Sequence, residues 1–443
     1  MRREGRRREG RRLAAPALRA RAWLRARAWL RAAGLVLLAA LAALVALNAA
    51  VLRVEAGSSG DAVGAPRAAA QEGGASGAGL LETELERQAE SLGLDSVDRF
   101  LEELDRQMAG DLPPLRVRDV ISMVVRGEGA YTLPGFLRAL GARLMREVLA
   151  GSGLLARLVI LSLVAGLLKA IQSAFARSET AELAYGACYL VLIIMAMGGF
   201  LLAMEVCRGV IDNLTGFMQA MLPVMIVLLA GVGAVSTAGL LNPVLVASVQ
   251  FIAGFIRDVA LPVVLCAACV DLVSRTFTRV KATALADLLR QGAVVVTGLL
   301  LSLFTGVVAV YGAAGSVVDG AAIKAAKFAT ATFIPFLGGF LADAVEVVIS
   351  SSLVLKNVVG VVGALGVVAF TVFPLLKVLA LVLVFRVAGA LVQPLGAGEL
   401  VGSLNSVGSS LVLMMVMACA VAVMFLITLA VVVMAATAAV MIR

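Results

Sequence analysis

The sequence contains no histidine among its 443 residues. That removes the commonest general acid–base side chain and every imidazole-ligated metal site. Charge is scarce as well: Asp, Glu, Lys and Arg make up 15% of the chain, against about 25% in a soluble globular protein. The five cysteines, Cys188, Cys207, Cys266, Cys269 and Cys419, all lie in or beside apolar runs. They form no secreted-type disulfide framework. Cys266-Ala-Ala-Cys269 has the spacing of a redox motif but lacks the strand–helix–strand context of one, so small buried side chains are the expected role. No Walker loop, dinucleotide fingerprint or nucleophile elbow is present. The sequence therefore offers no catalytic residues, no metal ligands and no cofactor site, and no enzyme is expected.

What the chain has instead is hydrocarbon. Hydrophobic residues make up 61% of it, and its mean hydropathy is +1.01. They gather in continuous runs of 18 or more, long enough to cross a hydrocarbon core about 30 Å thick as helices. A membrane barrel would need alternating segments of about ten residues, which are missing. The fold class is all-α: a polytopic helical membrane protein with a small extracytoplasmic helical N-terminal module. The net charge of +9 belongs to the leader. Residues 1–31 hold 12 Arg and 2 Glu, and the remainder holds 26 basic and 27 acidic residues. No basic platform for nucleic acid follows.

The chain divides into four parts. Residues 1–56 are an Arg-rich leader with an apolar run from Gly34 to Val51, which reads as a signal peptide cleaved after Ala56 or as an uncleaved anchor helix. Residues 57–79 are a Gly/Ala-rich linker. Residues 80–150 form a small helical extracytoplasmic module, with a helical pattern at 134–149. Residues 151–443 are the membrane domain, with about six to eight spans, some of which could be re-entrant. The clear spans are 154–171, 183–204, 292–314 and 411–440. Residues 358–385 are apolar but carry Pro374 and Lys377. Residues 220–270 form a long run with several breaks. Basic residues make the loop at 271–291 cytoplasmic and leave a loop at 205–219 outside.

Three polar patterns stand out in this apolar body. Asp343, Glu346, Ser350 and Asn357 share one helical stripe, which reads either as the lining of an aqueous conduit or as the wet side of a surface helix facing a partner. Arg257 and Asp258 sit inside the longest apolar run, as an intramembrane pair or as a turn between short helices. Gln393, Pro394, Gly396 and Gly398 break the chain between two apolar helices, as a loop or a re-entrant element. Lys324 and Lys327 could pair with Asp319, Asp343 or Glu346.

Several stretches resemble the stage III sporulation protein AE family of endospore-forming bacteria. They are LLKAIQSAF at 167–175, AYGACYLVLIIMAM at 184–197, MLPVMIVLLAGVGAVSTAGLLNPVLV at 221–246, the long block at 316–363, FPLLKVLAL at 373–381 and LVQPLGAGELVGSLNSVGSSL at 391–411. The resemblance covers roughly 80–443. It implies a membrane-embedded subunit of a channel or secretion complex joining mother cell and forespore, in the mother-cell membrane. The partners it implies are other stage III sporulation A-type proteins, including a separate cytoplasmic ATPase and ring-forming bitopic proteins, in contact with the lipid bilayer. It assigns no catalytic residues. A stand-alone secondary transporter and a non-conducting scaffold are the alternatives, and more than one copy per complex is compatible with either.

Overall fold

The computed structural model describes residue 102 and residues 133–174, 179–231, 234–276, 282–333, 338–395 and 398–441, and all of these but Gly151, Ala234 and Ala282 are helical. The leader, the linker and most of the N-terminal module lie outside the described residues. The α-helices are α1 (Leu133–Ala150), α2 (Ser152–Ala174), α3 (Glu179–Gly231), α4 (Val235–Phe255), α5 (Leu261–Thr276), α6 (Thr283–Phe333), α7 (Gly338–Val392) and α8 (Gly398–Met441). A π turn, Ile256–Ala260, joins α4 to α5 without a break.

Among the described residues, five stretches are long and apolar enough to cross a membrane: Ala184–Gly231, Val235–Arg275, Thr283–Asp319, Val359–Val392 and Gly398–Ala435. The pair α1 and α2, bent by 45° at Gly151, adds a sixth if it counts as one span. Five or six is at or below the low end of the expected count, because two expected boundaries are not there. The outside loop at 205–219 is instead the middle of α3. Its polar residues recur at helical spacing, while Cys207, Val210, Ile211, Leu214, Phe217 and Met218 line the opposite, buried face. The loop at 271–291 shrinks to the residues between Thr276 and Thr283, because its other charged residues lie on α5 and α6.

Pro223, Pro243 and Pro374 interrupt these helices without ending them, the first two on exposed faces. Pro262 cannot donate to the carbonyl four residues back, and the π turn ends at Ala260, just before it. The Leu261 N–H reaches back to Ile256 O, which carries the helix past the break.

Pairwise contacts fix the direction of each span. Tyr185 meets Glu399, and Arg275 lies against Gly402, so the start of α3, the end of α5 and the start of α8 share one end of the bundle. Asp319 meets Ser236, Gly312 lies against Val431, and Gly360 lies against Val433. The start of α4, the Asp319 region of α6, the start of the α7 span and the end of α8 therefore share the other end. The five spans alternate in direction, with α7 and α8 as the central pair.

Close approach rests on glycine. A Cβ at Gly366 would lie 2.6 Å from Phe217 Cζ, and one at Gly363 would lie 2.7 Å from Met221 Cε. Without a strong hydrophobic drive between helices in lipid, van der Waals contact of this kind holds a bundle together. Gly315 is the strictest case, since its Cβ would lie 2.8 Å from the Cα of Thr237, which no rotamer change can relieve. Gly315→Ala is expected to cost about 1–3 kcal/mol, read as a lower unfolding midpoint in detergent. Gly239→Ala on α4, where nothing lies within 4 Å of the new methyl, should leave the midpoint unchanged or slightly raised, since alanine favours the helix.

Candidate functional site

Asp271 is 2% exposed, so its carboxylate has to be met by protein groups. It lies in the last turns of α5, one turn before Arg275. Arg275 Nε donates to Oδ1 at 3.2 Å, and Arg290 Nη2, from α6, donates to Oδ2 at 3.1 Å. Ser406 Oγ on α8 also donates to Oδ2. Arg290 Nη2 reaches Ser406 Oγ at 3.1 Å and Ser410 Oγ at 3.0 Å, and Nη1 reaches Asp287 at 3.5 Å. Gly402, Ser406 and Ser410 recur every four residues, so α8 turns one small, hydroxyl-bearing stripe toward both arginines. A Cβ on Gly402 would lie 2.9 Å from Arg275 Nη1. Nearby, Tyr189 and Ser403 share a buried hydroxyl–hydroxyl bond between α3 and α8.

At the opposite end, Asp319 is 1% exposed. Its Oδ1 accepts the Ser236 N–H and its Oδ2 accepts the Thr237 N–H, both at 2.8 Å. The α4 N-cap residue is Ala234, which has no side-chain acceptor, so Asp319 on α6 caps α4 from outside its own helix. A carboxylate there satisfies two orphan donors and faces the positive end of the helix dipole. Lys324 and Lys327, which the sequence offered as partners for Asp319 or as a solvated, headgroup-facing side, have side chains outside the described residues.

A third polar group crosses the middle of the spans. Arg257 Nη1 pairs with Asp212 Oδ1 on α3 at 3.0 Å, and its Nε lies 3.7 Å from Asp258 Oδ1. The expected Arg257–Asp258 pair is thus the longer half of a three-residue group, set on a π turn inside one span rather than on a turn between short helices. Asp212 escaped notice because residues 205–219 read as a loop. Glu205 is exposed two turns earlier on α3, and the buried Arg208 Nε between them has no hydrogen-bond partner.

Asp343, Glu346, Ser350 and Asn357 all lie on α7, whose backbone is helical across them. They share one stripe of one helix, and their side chains lie outside the described residues. Gln393 and Pro394 belong to a single 3-10 turn, Gln393–Leu395, and Gly398 opens α8. Gly396 lies outside the described residues. The end of α7 and the start of α8 lie side by side, with Gly389 against Leu404 and Asn405. Cys207 and Cys419 are buried as expected, but Cys266 is exposed, because this stretch of α5 turns outward, and Cys188 and Cys269 are half-buried; Cys269 Sγ lies 3.4 Å from Met197 Sδ. Among the described residues, no three His, Cys, Asp or Glu come together as a metal-binding group.

Removing the Asp271 carboxylate leaves Arg290, 19% exposed, without its buried counter-charge, while Arg275, 34% exposed, keeps contact with solvent. Asp271→Ala is expected to destabilise the detergent-purified protein by about 1.5–3 kcal/mol. The pair Asp271→Ala with Arg290→Met should be less destabilised than Asp271→Ala alone, as a thermal unfolding series would show.

The sequence profile of Stage III sporulation protein AE matches residues 115–436. The Stage III sporulation protein AE of Bacillus subtilis (strain 168) is 33% identical over 358 residues, covering 81% of this chain and 90% of that protein. No solved structure matches. With a family match over most of its length and a multi-pass helical body, the chain belongs to the stage III sporulation protein AE family of membrane proteins.

Proposed function

We propose that this protein is a membrane-embedded subunit of a sporulation-specific transport or secretion complex linking mother cell and forespore, needed for late forespore development. The observation that carries the reading is family membership across 115–436, the part that builds the helical bundle. The relative in Bacillus subtilis is named for stage III sporulation. In this reading the chain sits in the mother-cell membrane facing the forespore and supplies the fixed membrane body. A separate cytoplasmic ATPase supplies energy, and ring-forming bitopic proteins extend the path. Polar positions on membrane helices favour a subunit that meets water or partners within the membrane. The stripe Asp343, Glu346, Ser350 and Asn357 is the proposed conduit-facing or partner-facing element.

Deletion of the gene in its spore-forming host tests the reading. Engulfment should complete, after which forespores should shrink and a forespore-specific late reporter should stay silent. Normal forespores, with a loss of solute uptake or export in vegetative cells, would replace the reading with a stand-alone transporter. The stripe is tested by Ser350→Cys in a background without the native cysteines. Modification by a membrane-impermeant thiol reagent from within the assembled complex is expected for a conduit, whereas protection that appears only when partners are present makes the stripe a docking face.

A further inference from the structure

The charges at mid-span face outward. In the Arg257 group, the arginine is 46% exposed, Asp212 45% and Asp258 65%. Charged residues in membrane helices ordinarily turn to the bundle interior or to a water-filled cavity. These sit near the centre of their spans: Asp212 within Ala184–Gly231, and Arg257 and Asp258 within Val235–Arg275. On α3 the stripe continues through Arg208 and Glu205 to the exposed Leu201, at spacings of four, three and four residues.

Exposed apolar side chains lie on both sides of this belt. Ile194 and Leu201 lie toward one end of the bundle, and Val227, Leu240 and Phe251 toward the other. Ile194 to Val227 is about 50 Å along the helix axis at 1.5 Å per residue. A hydrocarbon slab of about 30 Å cannot cover all of them. Centred on the belt, it buries the charges. Moved to either side, it leaves apolar residues in water. Protein has to cover this face.

Charge selects the cover. Glu205, Asp212 and Asp258 stand against Arg208 and Arg257, a net −1. Lys377 is exposed on α7, and α7 packs on the far side of α3 from Arg208. Phe217, which packs on Phe370 of α7 at 5.5 Å, is nine residues and so about half a turn round from Arg208. A second copy of this chain, related by an axis along the membrane normal, would set −1 against −1 at equal height. We infer that the outward face of α3 and the π turn, centred on Asp212, Arg257 and Asp258, docks a membrane helix of another chain that carries a Lys or Arg near its middle. The inference names a partner class for the complex subunit proposed above and rests on that reading for its choice of host.

The test places a photo-cross-linking residue at Phe251 or Leu201 in the full-length chain, expressed in its sporulating host, and sequences the cross-linked peptides. The expected peptides come from an apolar segment of another chain with Lys or Arg in its central third. Asp258→Asn should lower that cross-link roughly threefold to tenfold at equal protein level, and Asp258→Glu should retain it. Peptides from a second copy of this chain, peptides from its own residues 1–132, or lipid adducts alone would overturn the inference. A basic partner helix found in a host whose forespores mature normally without the gene would sink the complex reading and leave the docking face standing.

Discussion

The structure depends on one electrostatic constraint: a carboxylate shut away from water has to be met by cations or by backbone N–H groups. Asp271 and Asp319 meet it at opposite ends of the bundle, in different ways. Asp271 takes two arginines and a serine from three helices, which ties α5, α6 and α8 together at one end. Asp319 takes two free backbone donors of α4, which ties α6 to α4 at the other. A buried ion pair is weak evidence for net stability, since desolvation offsets most of the attraction. Its stronger effect is on register: a shift of one turn on α8 would move Ser406 and Ser410 about 5.4 Å from Arg290.

Between these two ends, glycine and aromatic contacts set the spacing. Gly363 and Gly366 bring α7 close to α3 at Met221 and Phe217, and Gly360 brings it close to α8 at Val433. The polar ties at the ends join α4, α5, α6 and α8, and the close apolar contacts along the middle join α3, α7 and α8. The outer surface of α6 between Val294 and Val318 is dominated by exposed apolar side chains, as a lipid-facing helix requires. The face of α3 and the π turn differs from it, being apolar at both ends and charged at the centre.

The helical membrane class was legible in the sequence because it rests on the length and continuity of apolar runs, which lipid selects directly. The family was legible from extended matching blocks such as 221–246 and 391–411. Span boundaries were less so. Glu205, Arg208, Asp212 and Asn213 have the composition of a loop, and only the buried stripe through Cys207, Ile211, Leu214 and Met218 shows that the helix continues. The Asp271 group left a signal in two local pairs, Asp271 with Arg275 and Asp287 with Arg290, and in the four-residue spacing of Gly402, Ser406 and Ser410. Joining these across 135 residues needed the fold. The Asp319 cap left none, because its partners are the N–H groups of residues 236 and 237, which no side-chain pattern reports.

The central structural claim is that Val235–Arg275 crosses the membrane once, through the π turn, so that Val235 and Thr283 lie on opposite sides and Thr283 and Gly398 lie on the same side. The most direct measurement is accessibility of single cysteines, Val235→Cys, Thr283→Cys and Gly398→Cys, to an impermeant thiol reagent in intact and in permeabilised cells, with the native cysteines removed. The account predicts that Thr283→Cys and Gly398→Cys react under the same condition and that Val235→Cys reacts under the other. Reaction of Val235→Cys and Thr283→Cys from the same side would contradict the single crossing, and with it the alternating bundle.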